Sequence, residues 1–424
     1  MSQAPAQPRD PIVASIALSL GFGILCAIRL AIPSEPYFDE VQYLPAAREL
    51  LERGAYLNRE HPLLGKEMMA LGIQLFGDGP YGWRAFSVVA GVIALFASMR
   101  AMWFASVSRF ASIAFGLLLA SGFALFVQAR IAMLDIFMLA SLAIAAWQFT
   151  AAMREPETGR RRLVVTGIAL GAAMAAKWNA IPLAVLPGIA FFAARFSAGR
   201  RRLLTSRRGI PVPGISLVEA AAWLGLVPLA VYAASFFPAV HLQNSPLAGG
   251  DLIAFHREML ALQTQVLAPH PYESSWYQWV TNTRAIWYLY EQIDGAQRGI
   301  LLVGNPLTML LGLPALVWCL LTGIPQRNWA RLGVVLGYAV SIGLWLVAAK
   351  SVQFYYHYLL PGTFLLAALS LALEAVWRHG HRWLAVGTIA ASIAIFAFFY
   401  PILSAAPLDG PQSFLTWAWL EAWR

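Results

Sequence analysis

Charged and polar side chains crowd into one short segment near the N-terminus of a chain that is 59% apolar. Adjacent carboxylates occur at Asp39 and Glu40, followed by an imidazole at His61, an ammonium group at Lys66 and a guanidinium group at Arg84. A carboxylate facing a cavity can accept a proton from a hydroxyl group, while imidazole and cationic side chains bind phosphate or sugar. Charge at the edge of a bilayer is costly and usually marks a site. We therefore predict that the chemistry of this protein takes place in this segment.

The acidic pair allows two interpretations. Neighbouring side chains on a helix point roughly 100° apart, so Asp39 and Glu40 cannot easily share one task. The pair either caps a helix predicted over 41–51, or one carboxylate acts as a general base while the other holds a backbone or arginine contact. Local sequence leaves both interpretations open.

Further polar side chains follow in three later turns. Arg130 and Asp135 lie close together between apolar segments, where they could simply pair with each other. Lys177 occupies the next turn, and His270 opens the aromatic part of a long loop. All three lysines of the chain fall on the outer face of the topology derived below: Lys66, Lys177 and Lys350. With only three lysines, this distribution can equally be due to chance or to an anion site on the outer face. An ammonium group suits an anion site because it binds phosphate as a point charge.

The composition defines the class of protein. Charged residues make up only 12% of the chain, and several apolar runs approach or exceed about 18 residues, enough to cross a bilayer. We therefore predict an all-α integral membrane protein that forms a single domain over residues 1–424, and we exclude a soluble globular protein. The net charge of +9 comes from arginines in short loops, which set topology and do not form a nucleic-acid surface. Cys26 and Cys319 lie in apolar runs and are predicted to pack as small hydrophobic residues.

The elements that must position the polar residues are about eleven membrane spans. We predict them at 12–32, 84–104, 111–128, 133–152, 163–177, 180–196, 215–238, 299–321, 332–349, 356–376 and 383–402. The first apolar run has no small-residue cleavage site after it, so it is expected to be a retained span. Arginines gather in alternate loops, at 154–162, 195–208, 327–331 and 378–382. The positive-inside rule makes this face cytoplasmic, with the N-terminus inside and the C-terminus outside.

Two long loops are predicted on the outer face, over residues 33–83 and 239–298. We expect both to carry amphipathic helices along the membrane surface, one of them capped by Asp251. No zinc-ligand spacing, P-loop or nucleotide-binding glycine pattern appears where it could operate, so neither ATP nor a soluble nucleotide sugar is expected as the donor. ATP and nucleotide sugars reside on the opposite side of the membrane. A lipid phosphate sugar, already activated and dissolved in the bilayer, fits an outward site better.

Taken in order, the motifs resemble those of the protein O-mannosyltransferase family, within the class of lipid-phosphate-sugar-dependent glycosyltransferases. The matching segments are Phe38-Asp-Glu-Val, His61-Pro-x-Leu-Gly-Lys66, Gly82-Trp-Arg84, Arg130 with Leu134-Asp135, Lys177-Trp178, His270-Pro-Tyr272, Gly304-Asn-Pro306 and Phe354-Tyr-Tyr-His-Tyr-Leu-Leu-Pro361. Gln42 and Leu63 depart from the family pattern, where His and a second Pro are common. The resemblance covers most of the chain, and the ordered set is more specific than any single motif.

The resemblance implies a GT-C-like fold and an inverting transfer of a sugar, expected to be mannose, from a polyprenyl-phosphate carrier to a hydroxyl acceptor. It implies no metal or other cofactor. Asp39 would be the general base, with Glu40 in support. The donor phosphate and sugar would be held by a set of polar residues: His61, Lys66, Arg84, Arg130, Asp135, Lys177 and His270. It also implies a compact bacterial relative in the inner membrane whose site faces the periplasm.

Two alternatives remain at this stage. The same chemistry could serve lipid A or another envelope glycolipid instead of a protein Ser or Thr. A lipid or sugar transporter would explain the spans without catalysis, but it predicts polar residues through the mid-membrane and repeat symmetry. Here the charges stay at the outer face and no repeat is visible, which favours an enzyme.

Overall fold

A computed structural model describes residues 9–199, 202–243 and 245–424. The first half of the described chain is helical throughout: α1 Ile12–Ala27, α2 Glu40–Glu52, α3 Leu64–Phe76, α4 Pro80–Ser106, α5 Arg109–Ala120, α6 Ala124–Gln128, α7 Leu134–Arg154, α8 Gly159–Ala176, α9 Ile181–Ala184 and α10 Leu186–Gly199. The second half adds one hairpin: α11 Leu217–Ala221, α12 Val227–Ala234, α13 Phe237–Val240, α14 Leu252–Thr264, α15 Trp276–Val280, β1 Ile286–Ile293, β2 Ala296–Leu302, α16 Pro306–Gln326, α17 Trp329–Val347, α18 Leu359–Arg378 and α19 Arg382–Leu403.

The predicted class, a helical multi-pass membrane protein, is confirmed. Within the described residues, eight helices are long and apolar enough to span a bilayer: Pro80–Ser106, Leu134–Arg154, Trp178–Ala198, Leu217–Val240, Pro306–Gln326, Trp329–Val347, Tyr355–Arg378 and Arg382–Leu403. Two apolar helices, α1 and α5, are shorter. A helix also occupies the predicted span 163–177, but its first turn carries three consecutive arginines from Arg160. The number eleven therefore stays a prediction.

The helices pack in two groups that α5 connects. Helices α4, α7 and α8 lie side by side, α16 and α17 pack against α18, and α5 contacts both α4 and α18. The predicted third span is broken where Phe123 takes a left-handed φ of 71°, so α5 and α6 are separate helices. Both cysteines are buried and free, as expected of packing residues.

A small-residue stripe fixes the position of α8, the helix that leads to Lys177. Gly167 and Gly171 lie one turn apart, and small residues at this spacing let two membrane helices approach closely. A Cβ added at Gly171 would lie 2.6 Å from the carbonyl oxygen of Pro228, and one at Gly167 would overlap the carbonyl oxygen of Trp223. The stripe therefore holds α8 against the backbone of α12 and of the π-helical turn Ala222–Leu226 before it.

The two long outer loops are joined to each other. The backbone N–H of Gln243 donates to the carbonyl of Arg53 over 3.1 Å, and the Arg59 guanidinium lies 3.1 Å from the Glu258 carboxylate. The predicted cap of α14 is confirmed, because the Asp251 carboxylate accepts from the N–H of Ala254 over 2.8 Å. Each loop thus braces the other.

The antiparallel hairpin of β1 and β2 was not predicted from the sequence, and the predicted start of the eighth span at residue 299 was wrong. The strands turn at Asp294-Gly295, where φ values of 51° and 73° match the two left-handed positions of a tight hairpin turn. The following helix begins only at Pro306, after the Asn305 side chain accepts from the N–H of Leu307. The apolar run continues from strand into helix, so hydropathy could not separate them, although the Asp-Gly pair was a readable signal.

We predict that Gly167→Ala destabilises the protein by about 1–3 kcal/mol, because the added methyl group must push the backbone of Trp223 away. The measurement is the thermal unfolding midpoint of the purified protein in detergent. Gly188→Ala is the matched control, since nothing lies within 4 Å of a Cβ at that position. Equal midpoints for the two variants would contradict the close approach of α8 and α12.

Candidate active site

The two adjacent carboxylates have different surroundings. Asp39 lies at the N-cap of α2, but its side chain accepts no capping hydrogen bond, so the structural interpretation of the pair is not observed. Asp39 is half-buried and follows Phe38, whose φ of 52° bends the chain sharply. The Glu40 side chain points the other way and is fully buried. One carboxylate is therefore open to a reactant and the other belongs to the protein interior.

Glu40 pairs with Arg84 at the start of α4. Both side chains are completely buried, and two parallel hydrogen bonds of 2.7 and 2.8 Å join them. The remaining N–H groups of Arg84 donate to the carbonyl oxygens of Leu30, Pro33 and Glu35. Glu40 also accepts from the N–H of Ala132 over 2.9 Å. The pair therefore links α2, α4, the end of the first span and the start of α7.

Burial raises the pKa of Asp39 to about 6. The ammonium group of Lys177 opposes this shift, Asp135 adds to it, and Lys350 and Glu60 act in smaller measure in opposite directions. A base is most effective when its pKa lies near the operating pH. Asp39 is therefore suited to accept a proton from a hydroxyl group near neutral pH.

Lys177, at the end of α8, forms a buried ion pair with Asp135 on α7. The Lys177 ammonium lies 2.7 Å from one carboxylate oxygen of Asp135 and 4.8 Å from the centre of the Tyr356 ring. The second carboxylate oxygen of Asp135 has no hydrogen-bond partner among the described residues. Asp135 does not pair with Arg130, the pairing that the sequence had left open. Lys177 keeps two ammonium hydrogens for a ligand after this bond.

Lys350 is the residue that the predicted site omitted. It lies half-buried in the loop after α17, and within the described chain it forms no ion pair. Burial and the charge of Lys177 lower the pKa of Lys350 to about 8, while Asp39 and Asp135 raise it. The charge of Lys350 therefore interacts with the charges of both acidic residues. Its membership in the set of outer lysines was the available signal in the sequence.

His61 and Lys66 lie together on the first outer loop. The Lys66 ammonium is fully buried and donates to the carbonyl oxygens of Asn58 and His61 over 2.6 and 2.9 Å. Burial lowers the pKa of Lys66 to about 7. Lys66 therefore shapes the backbone around His61 and does not reach a ligand. Helix α3 begins at Leu64, three residues after His61.

The geometry does not support a donor-binding role for Arg84 or Arg130. All N–H groups of Arg84 have partners in the protein interior. The Arg130 guanidinium donates to the carbonyls of Cys26, Ile28, Arg29 and Ser404, where it caps the exposed end of α1. A phosphate would have to break these bonds. Both arginines thus bind backbone carbonyl oxygens, and these contacts could not be predicted from the sequence motifs.

An aromatic wall connects His270 to Phe38, the residue before Asp39. Phe38 stacks on Tyr288 with 4.2 Å between ring centres and lies 6.0 Å from Tyr356. Phe354 stacks on Tyr356 at 5.5 Å, and the exposed His270 ring meets Phe354 edge-on at 5.1 Å. His270 therefore lies at the outer rim of the site. Aromatic faces beside a base can hold a sugar ring or an extended peptide.

The part of the chain that the structure describes contains no cluster of metal-ligand side chains. No group of three or more His, Cys, Asp or Glu side chains there could hold a metal ion. The expectation of a reaction without a metal stays a prediction. The described site consists of one half-buried carboxylate, one ion pair, one unpaired ammonium and one imidazole.

Two family models match successive parts of the chain. The one described as dolichyl-phosphate-mannose-protein mannosyltransferase matches residues 77–244, and the one for the C-terminal four-span region of protein O-mannosyltransferase matches residues 249–423. The polyprenol-phosphate-mannose–protein mannosyltransferase of Mycolicibacterium smegmatis is 27% identical over 460 residues, covering 92% of this chain and 88% of its own. Its Mycobacterium tuberculosis counterpart is 26% identical, with shares of 92% and 87%.

Solved structures agree with this fold. The Saccharomyces cerevisiae protein O-mannosyltransferase Pmt1-Pmt2 complex bound to the sugar donor superposes with a TM-score of 0.80 at 15% identity, over 98% of this chain and 93% of that chain. ArnT from Cupriavidus metallidurans bound to undecaprenyl phosphate gives a TM-score of 0.60 at 16% identity, over 90% and 63%. At these identities the likeness concerns the fold alone.

Fold and site together define a membrane glycosyltransferase of the lipid-phosphate-sugar-dependent class. Within that class, the chain belongs to the protein O-mannosyltransferase family. The resemblance of the ordered motifs is thereby confirmed.

We predict opposite effects on stability for the two neighbouring carboxylates. Glu40→Gln leaves Arg84 buried without its counter-charge and should cost about 3–5 kcal/mol. Asp39→Asn should leave stability unchanged or raise it at pH 7, because the raised pKa means that the fold disfavours the ionised side chain above its unfolded pKa. Thermal unfolding in detergent measures both. A larger loss for Asp39→Asn would show that the assignment of the pair is reversed.

Proposed function

We propose that this protein transfers mannose from a polyprenyl-phosphate carrier to the hydroxyl group of a Ser or Thr in a protein, with Asp39 as the general base. The observation that carries this proposal is the open carboxylate of Asp39, with its raised pKa, beside two lysines. The names of the mycobacterial relatives, which cover nearly the whole chain, support mannose and a protein acceptor.

The proposed reaction needs only groups that surround Asp39. The acceptor oxygen attacks the anomeric carbon as the Asp39 carboxylate takes its proton, and the bond from that carbon to the phosphate oxygen breaks with inversion. The carrier phosphate leaves with the bonding electrons, and Lys350 and Lys177 stabilise its charge in a partly dry site. Asp39 then returns the proton to water. Holding donor and acceptor at one interface supplies much of the acceleration.

The direction of the site follows from the charges of the loops. Arginines mark the cytoplasmic ends of the helices, and Arg200 and Arg201 of this set lie outside the described residues. Lys177 and Lys350 follow the opposite ends of α8 and α17, and Asp39 lies in the segment that follows α1. We place the protein in the bacterial inner membrane with its N-terminus in the cytoplasm and its site towards the periplasm.

The test of function supplies the purified enzyme and native membranes with labelled polyprenyl-phosphate mannose. Label that enters the protein fraction through an alkali-labile linkage supports the proposal, and Asp39→Asn should abolish it. Label recovered in an extractable glycolipid would instead assign the glycolipid acceptor. Absence of transfer to both would overturn the proposal once donor binding has been demonstrated.

The transfer rate should fall as the pH is lowered through about 6, because a protonated Asp39 cannot accept the hydroxyl proton. The measurement is the initial rate at saturating donor between pH 5 and 8. Asp39→Glu, which keeps a carboxylate, should retain a fraction of the activity with a shifted acid limb, whereas Asp39→Asn should be inactive across the whole range. An unchanged rate at pH 5 would remove Asp39 from the base role.

Lys350→Met should raise the KM for the donor by roughly 10- to 100-fold, as expected for a lost charge-assisted contact, with little change in the acceptor KM. In the wild type, donor binding should also weaken above about pH 8, where Lys350 loses its proton. Lys350→Arg should keep binding into the alkaline range. Arg257→Met, which removes an exposed outer cation from α14, is the control for net charge. Equal effects of Lys350→Met on both substrates would argue against a phosphate contact.

A further inference from the structure

His61 is an imidazole on the first outer loop, in contact with Tyr43 and Lys66. It is buried, its ring lies edge-on to Tyr43 with 6.0 Å between centres, and the ammonium of Lys66 holds its carbonyl oxygen. Burial, together with the charges of Lys177, Lys350 and Lys66, holds the pKa of His61 well below its usual range. A neutral imidazole carries one proton, so only one ring nitrogen can donate. Which nitrogen this is decides what His61 can bind.

The Gln263 side chain settles the question. Its amide nitrogen lies 2.6 Å from the carbonyl oxygen of Glu60 and 3.1 Å from Nδ1 of His61. A carbonyl oxygen only accepts hydrogen bonds, so the group facing Glu60 must be the amide NH₂ and not the amide oxygen. The same NH₂ group has a second hydrogen for Nδ1. Nδ1 of His61 is therefore an acceptor, and the ring proton must reside on Nε2.

The two residues come from different outer loops. Gln263 lies in the last turn of α14, while Glu60 and His61 precede α3. The nearby Arg59–Glu258 ion pair holds the same two segments together at 3.1 Å. Nε2 of His61 has no hydrogen-bond partner among the described residues. The second loop thus fixes the proton of a side chain whose donor group remains available to a ligand.

We propose that Gln263 is a positioning residue that locks His61 as the Nε2–H tautomer, so that the imidazole donates a neutral hydrogen bond to the phosphate of the lipid-linked sugar. This inference rests on the proposed function. A neutral N–H group on His61 adds a directional hydrogen bond to the phosphate and does not add another positive charge that the nearby lysines would repel. Such a donor also keeps its proton throughout the working pH range, unlike Lys350.

The kinetic test is Gln263→Met, which keeps the length of the side chain and removes the amide. His61 can then populate the other tautomer, so the KM for polyprenyl-phosphate mannose should rise about threefold to tenfold, while the acceptor KM stays near the wild-type value. Gln265→Met, two residues along on an exposed side chain, is the matched control and should leave both constants unchanged. An unchanged donor KM in Gln263→Met would overturn the inference.

A double variant separates positioning from a structural role. His61→Gln supplies an amide N–H whose presence does not depend on a tautomer, so Gln263→Met should add little to the donor KM in that background. A full additional loss would show that Gln263 only stabilises the loops, and would overturn the inference.

The tautomer can also be read without activity. In protein labelled with ¹⁵N-histidine, the His61 signals, identified by their loss in His61→Gln, should report a bare Nδ1 and a protonated Nε2 in the wild type. A protonated Nδ1 in the wild type would sink the inference, whatever the kinetics. Absence of Asp39-dependent transfer in the wild type would instead refute the proposed function, so the two failures are distinguishable.

Discussion

The buried ion pair of Glu40 and Arg84 is the interaction on which the site depends. Both charged side chains are completely buried, and the desolvation cost is offset only because both are fully hydrogen-bonded. The guanidinium satisfies three carbonyl oxygens in the chain that follows α1, and the carboxylate satisfies the N–H of Ala132. Because these bonds fix the start of α2, the preceding residue, Asp39, has little freedom. A rigid neighbour thus holds the catalytic candidate without touching the reactants.

The positive and negative charges around Asp39 partly cancel each other. Lys177 is partly neutralised by Asp135, whereas Lys350 keeps its whole charge for a ligand within the described chain. Full neutralisation of Asp39 by a lysine would lower its pKa and weaken it as a base, and burial without cations would leave the phosphate unsupported. In the proposed mechanism, an anion site and a base can share one space because Lys177 is bound to Asp135 and Lys350 is left to bind the phosphate.

The outer loops act as a support for this chemistry. The first contributes Asp39 and His61, and the second contributes the Gln263 amide that faces His61 and the aromatic wall beside Phe38. The Gln263 amide and the Arg59–Glu258 ion pair cross from one loop to the other, so the orientation of His61 depends on both loops. The hairpin of β1 and β2 adds rigidity at the base of the second loop, where it packs on α19. Precision at the site therefore comes from contacts between segments distant in sequence.

The sequence alone determined the membrane class, most helices and the family, because apolar runs and ordered motifs are local properties. It also singled out Asp39, His61 and Lys177 as candidate site residues, since charge at a membrane edge is rare enough to be noticed. Only the tertiary structure decided that Glu40 is internal, that Arg84 and Arg130 bind backbone carbonyls, and that the charge of Lys350 interacts with those of Asp39 and Asp135. The hairpin was hidden within an apolar run that continues into a helix. The physical reason is common to these cases: the function of a charged group depends on which distant partner it meets, and hydropathy carries no record of that partner.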